Sequence, residues 1–295
     1  MTKNATELLL LCAGAGAKDW DGAKRRRPLR TKGKRQAQKI GAWMGQHGLR
    51  PLKTLTTTDE RAMATAQKAL KAGGWSAQGV VQSPDITKGV IPAIADEDRV
   101  LLVAPKKTVS GLLSALGVQE NLSPGVLVRL EKTHASAEIS QVIDPQDLPD
   151  LFPYPGPDGP ERRERPAYYY TQSAVIPFRR TPEGKEVLIT GSSSGRHWVL
   201  PKGIVDPGLS PAESARVEAR EEAGVEGNVG AGTLGTFTYE KWGAVCEVEV
   251  YAMEVTHILP VEHWEESHRQ RTWVPAETAA AMLYQMAFGP LIAQL

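Results

Sequence analysis

Between Asp144 and Pro166 the chain reads DPQDLPDLFPYPGPDGPERRERP. Proline fixes φ and has no backbone N–H to donate, so a stretch this rich in it cannot continue a helix or form a central strand. The break predicts two domains in a chain of 295 residues, long enough for two cores. Their expected limits are residues 1–146 and 167–295, with 147–166 as a proline-rich linker. Charge divides at the same place. Residues 1–146 hold 22 Lys and Arg against 13 Asp and Glu, a net of +9, whereas 147–295 carry a net of −8, and the total of +1 conceals both. That asymmetry suits an intramolecular contact between the basic and acidic domains, or collection of polyanions by the basic half.

Composition sets the class. With 41% hydrophobic and 23% charged residues the chain reads as globular. Its two cysteines, Cys12 and Cys246, have no spacing for a disulfide framework or a zinc site, which fits a reducing cytoplasm. The start, MTKNATELLLLCAGAGAKDW, lacks a signal-peptide layout, and no apolar run approaches the roughly 20 residues that cross a bilayer. A cytoplasmic protein without a membrane partner is expected.

Chemistry concentrates in LPKGIVDPGLSPAESARVEAREEAGV, Leu200 to Val225. Ser210 is an N-cap, Pro211 suits the first helical position and Glu213 completes a capping box. Alanines favour the helix, and Gly224 can turn left-handed just past its end. On that helix Glu218, Glu221 and Glu222 share one face at i, i+3 and i+4. Like charges at this spacing cost about 0.2–0.5 kcal/mol per pair, and anions in the last turn oppose the helix dipole. A divalent cation reverses both effects. The alternative is a solvated acidic face, with Arg216 and Arg220 as local partners.

With Pro201, Lys202 and Gly203 opening the preceding loop, this segment resembles the Nudix box of the Nudix hydrolases. Placed on Gly203, the box pattern meets Glu218, Ala219, Glu221, Glu222, Gly224 and Val225 in register. It departs twice. Leu209 stands where the box has a glutamate and Val217 where it has an arginine. This is read as a joint structural swap in which both residues pack against apolar neighbours, leaving no orphaned charge. The flanks GTLGTFTYEKWGAVCEVEVYAMEVT and HWEESHRQRTWVPAETAAAML are similar to the branch that hydrolyses diphosphoinositol polyphosphates and dinucleoside polyphosphates.

The resemblance implies a Nudix α/β/α sandwich with a mixed sheet. It also implies Mg²⁺, with Mn²⁺ as the alternative, held by Glu218, Glu222, Glu221 and the carbonyl of Gly203. Glu218, Glu221 and Glu222 are the expected catalytic residues. Lys202 is the leading phosphate contact, followed by Arg196 and Lys241. Tyr239, Trp242 and Trp264 are aromatic candidates for stacking on a base, against a core or rim role. Glu240, Glu247, Glu249, Glu265 and Glu266 are open as general bases.

The first half alternates strand and helix. ELLLLCAGA, TLTTT and RVLLVAP read as strands; TKGKRQAQKIGAWMGQHG, DERAMATAQKALKAGG and TVSGLLSALG read as helices. A mainly parallel sheet follows. Through DWDG, RPLRTKGKRQAQKIGAW, Arg61 and SPGVLVRLEK it resembles the phosphohistidine-phosphatase branch of the histidine phosphatase superfamily. That implies a phosphoglycerate-mutase-like α/β/α sandwich in which Arg61 keeps a phosphate-binding position. The superfamily's Arg-His pair is replaced by Cys12 and Ala13, and its second histidine by Pro105. Neither His47 nor His134 lies at a motif position. The domain is therefore read as a pseudophosphatase, with Cys12 a buried thiol rather than a nucleophile.

The expected function is a metal-dependent Nudix pyrophosphohydrolase acting on a small-molecule phosphoanhydride: a dinucleoside polyphosphate, a nucleoside triphosphate or a diphosphoinositol-type compound. The alternatives are a non-catalytic phosphometabolite-binding regulator and an RNA 5′-end pyrophosphohydrolase. The chain lacks the aromatic-interleaved basic motif of single-stranded RNA binding, so a nucleic-acid partner is not expected.

Overall fold

The computed structural model describes residues 6–91, 99–132 and 136–295, so His134 lies outside the described residues. It divides into two compact units, Met1–Ala167 and Tyr168–Leu295.

Five consecutive apolar residues, Leu8–Cys12, lie within β1 (Thr6–Cys12) and are all buried. Because strand side chains alternate, such a run needs a packed layer on each face. Leu8, Leu10 and Cys12 meet Val109, Leu112 and Leu113 of α4 (Lys106–Ala115) and Ile86 of α3 (Pro84–Thr87). On the other face, Leu9 and Leu11 meet Ile40 and Met44 of α1 (Thr31–Gln46) and Ala62, Ala66 and Ala69 of α2 (Glu60–Ala72). The first unit is thus an α/β/α sandwich.

Its sheet has the order β3-β2-β4-β1-β5-β6, with β2 (Lys53–Thr56), β3 (Val80–Gln82), β4 (Arg99–Ala104), β5 (Leu127–Lys132) and β6 (Ala137–Ile143). The pairings from β3 to β1 are parallel, while β5 and β6 run antiparallel.

The stretch expected as a linker is structured. β7 (Phe152–Gly156) and β8 (Gly159–Arg163) form a two-stranded hairpin. Among the described residues no further strand flanks it, so its prolines interrupt no larger ladder. Arg35 of α1 lies over Phe152, and Lys39 of α1 pairs with Asp150. A lone hairpin is neither a helix nor a central strand, so it is compatible with the prolines, and the segment falls within the first compact unit.

The second unit is built on a mixed seven-stranded sheet of order β11-β10-β9-β14-β13, with two additional pairings. Its strands are β9 (Thr171–Thr181), β10 (Gly184–Gly191), β11 (Trp198–Val199), β12 (Lys202–Ile204), β13 (Val225–Lys241), β14 (Ala244–Ile258) and β15 (Arg271–Pro275). β9 pairs parallel with β14 and antiparallel with β10 and β12, and β15 pairs with β10. α5 (Pro211–Ala223) packs Ala215, Ala219 and Ala223 on one face against Val175, Leu188 and Met253. The other face is covered by α6 (Ala276–Met282) and α7 (Gly289–Ile292), through Ala279, Leu291 and Ile292. Among the described residues no helix is long and apolar enough to cross a membrane.

Candidate active site

α5 starts and stops as its residues dictate. The Ser210 hydroxyl accepts from the Glu213 amide, and the Glu213 carboxylate accepts from the Ser210 amide. Gly224 closes the helix at φ 62°, where a Cβ would run into Trp264 and Arg271. One turn of helix then aligns Glu218 and Glu222 toward β12, whose Gly203 pairs with Ser173 of β9. A side chain at Gly203 would collide with the Glu218 carboxylate. Glycine at this position is a matter of space: the acid lies directly on the backbone.

Glu222 is held from two sides. One oxygen accepts the Lys202 amide at 3.0 Å and the other accepts Arg269 Nη2 at 2.7 Å. Arg269 also donates through Nε to Glu266 and through Nη1 to the Gly191 carbonyl at 3.2 Å. Glu218 differs: among the described residues no hydrogen-bond donor reaches its carboxylate. Burial, with Glu222, Glu221 and Glu266 nearby, pushes it up to about 8. Burial also raises Glu222, opposed by the Lys202 amide and Arg269, and raises Glu221 together with Glu265 and Glu266. Burial lowers Lys202, whose Nζ donates at 2.9 Å to both Gln172 Oε1 and Tyr239 Oη. Tyr239 in turn donates to Gln172 at 2.7 Å.

Lys202, Glu222, Tyr239, Glu240, Lys241 and Arg269 line a cavity of about 370 Å³. Arg196 lines a second one of about 250 Å³ with His197, Trp198 and His268; the two share Ser192, Ser193 and Arg269. Of the open base candidates, Glu240 lines the first cavity, Glu249 accepts the Tyr251 hydroxyl and Glu266 is tied to Arg269. Trp264 is committed elsewhere, donating to the Glu221 carbonyl at 3.0 Å beneath Arg271. Gln172 and Arg269 carry no signal in the sequence, since neither lies in the box: Gln172 reaches the site through the pairing of β9 with β12, and Arg269 from the turn that precedes β15.

Val217 corrects the expected apolar swap. It is 40% exposed, and Leu209 is only partly buried, so the absent box pair left a surface position rather than a small core.

Among the described residues no three or more His, Cys, Asp or Glu side chains form a finished metal cage. The chemistry of the donors nevertheless fits a hard divalent cation. A carboxylate without a donor, other carboxylates around it and a backbone carbonyl at the same strand make an all-oxygen set with a charge deficit.

Residues 170–294 match the NUDIX domain. Diphosphoinositol polyphosphate phosphohydrolase 3-beta of Bos taurus is 33% identical over 121 residues, covering 40% of this chain and 71% of the bovine protein. The chain belongs to the Nudix family. Diphosphoinositol polyphosphate phosphohydrolase 2 of Rattus norvegicus is 36% identical over 115 residues, which is 38% of this chain; the match spans 62% of the rat protein's length. Among solved structures, the protein histidine phosphatase SixA complexed with tungstate aligns with TM-score 0.41 and 14% identity, over 48% of this chain and 98% of that one. The C. elegans Ap4A hydrolase aligns with TM-score 0.36 and 23% identity, over 42% and 94%.

Proposed function

We propose that the second unit of this Nudix protein is a metal-dependent pyrophosphohydrolase. Its substrate would be a small-molecule phosphoanhydride of the diphosphoinositol, dinucleoside polyphosphate or nucleoside triphosphate type. The observation that carries this reading is the Glu218 carboxylate, pressed on Gly203 among three other carboxylates and reached by no donor among the described residues. Glu218, Glu222 and Glu221, with the Gly203 carbonyl, would hold Mg²⁺, or Mn²⁺ in its place. When bound, the ion supplies charge stabilisation on the phosphoanhydride oxygens and activation of water. Arg269 fixes the rotamer of Glu222, and the Lys202 amide fixes its second oxygen. Lys241 and the Lys202 ammonium place positive charge at the cavity wall for the substrate's phosphates.

The first unit is proposed to be catalytically inactive. Ala13 and Pro105 can accept no phosphoryl group. The Cys12 thiol is buried and pushed up to about 12 by that burial, despite Lys106 and Arg61 nearby, so it stays protonated. A cytoplasmic location suits two free thiols.

The deciding experiment measures Mg²⁺-dependent phosphate release from inositol pyrophosphates, diadenosine polyphosphates, oxidised nucleoside triphosphates and triphosphorylated RNA. Turnover of one of the small molecules that is lost in Glu218→Gln supports the proposal. Tight binding without release in every case rejects it in favour of a non-catalytic regulator.

A further inference from the structure

β13 and β14 are joined by Trp242–Gly243, a two-residue turn in which both residues have positive φ, 54° and 70°. Hairpin turns of this kind favour Asn or Asp in the first position, because a bulky residue is strained in the left-handed region. Trp242 is the one non-glycine residue with positive φ among the described residues. Strain of this kind persists where the surroundings impose it. Here the indole stands edge-to-face against Tyr169 at 5.2 Å and Tyr170 at 6.3 Å, and the Trp242 carbonyl accepts the Tyr170 hydroxyl at 3.3 Å.

The same ring carries a charge. Lys241 Nζ lies 4.4 Å from its centroid, and among the described residues no carboxylate pairs with that ammonium. Lys241 lines the cavity that contains Glu222 and Lys202. A cation held on a π-face keeps its charge unneutralised, whereas a carboxylate partner would cancel it, and a held side chain loses less rotamer freedom when an anion arrives. The hairpin tip therefore fixes a lysine at the rim of the proposed active site by a backbone conformation that an unconstrained turn would avoid.

We propose that Trp242 is a positioning residue that presents the Lys241 ammonium to a phosphate group of the bound substrate. The inference rests on the pyrophosphohydrolase reading for its biological meaning, and its test does not depend on turnover. In the full chain, binding of inorganic tripolyphosphate is measured by calorimetry in metal-free buffer for wild type, Trp242→Asn, Trp242→Phe, Lys241→Gln and the double variant Trp242→Asn/Lys241→Gln. Trp242→Asn suits the turn and removes the ring; Trp242→Leu, which keeps apolar bulk without a π-face, replaces it if it does not fold.

Loss of the ring weakens binding about fivefold, Trp242→Phe keeps most of the affinity, and in the Lys241→Gln background the tryptophan change adds nothing. With a turned-over substrate, the Michaelis constant rises by a similar factor while kcat stays within twofold. Wild-type affinity in a folded Trp242→Asn chain overturns the inference, as does an equal loss with and without Lys241, which is the signature of a purely structural role. Coupled binding without turnover of any panel substrate leaves this inference standing and removes the pyrophosphohydrolase reading. Turnover without coupling removes this inference alone.

Discussion

Glu218 behaves as an acid that the fold has placed at a cost. Burial and the neighbouring Glu222, Glu221 and Glu266 raise it from 4.5 to about 8. Between those values the folded chain keeps a proton that the unfolded chain releases, so this group makes stability fall as pH rises through that window. In chelator, Glu218→Gln removes the effect. The variant is expected to melt above wild type at pH 8 and close to it at pH 4.5, which thermal unfolding at the two pH values checks. Added Mg²⁺ then raises the wild-type melting temperature at pH 8 more than that of the variant. Equal melting curves at pH 8 would remove the buried-charge argument. Gly203→Ala addresses the same contact from the other side, since its methyl group would displace the Glu218 carboxylate. The expected outcome is a folded chain with Mg²⁺-dependent turnover reduced at least tenfold; a fully active Gly203→Ala would show that the contact is dispensable.

Helix α5 joins a local grammar to a long-range lock. Its caps and alanine face follow from adjacent residues, and Ser210→Ala should cost about 1 kcal/mol, read as a shift in the denaturation midpoint. Val217 lies on the outward face, so Val217→Arg should change stability by no more than about 0.5 kcal/mol and leave turnover intact. A severe loss in that variant would mean that the position is buried in solution. Arg269 is the opposite case. It approaches α5 from 47 residues away, its side chain is 8% exposed, and it ties Glu222 to Glu266 and to the end of β10. Arg269→Gln leaves two acids uncompensated, and a loss of about 3 kcal/mol is expected in chelator by denaturant unfolding, with partial recovery as Mg²⁺ is added.

At the scale of the whole molecule, a chain of two α/β/α units is proposed to carry one active site. The full chain with Glu218→Gln should show no phosphatase activity toward phosphohistidine or aryl phosphates. Residual activity abolished by Cys12→Ser would overturn the pseudophosphatase reading and make Cys12 the nucleophile. Much of the architecture was legible from residues alone. The strand and helix segments of the first half fall where the apolar periodicity puts them, because a strand buried on both faces must be continuously apolar and a helix must show its i, i+3, i+4 face. The capping box, the glycine stop and the shared face of Glu218, Glu221 and Glu222 were equally determined, since every interaction involved spans five residues or fewer. Tertiary structure alone decided the rest. The Gly203 backbone meets Glu218 because β12 pairs with β9, and Gln172 enters the site from β9 and Arg269 from the turn before β15, which sequence spacing does not bring together. The proline-rich stretch became a hairpin against α1, and Val217 faces water, because exposure is set by what packs across an element, and that information lies in contacts far apart along the chain.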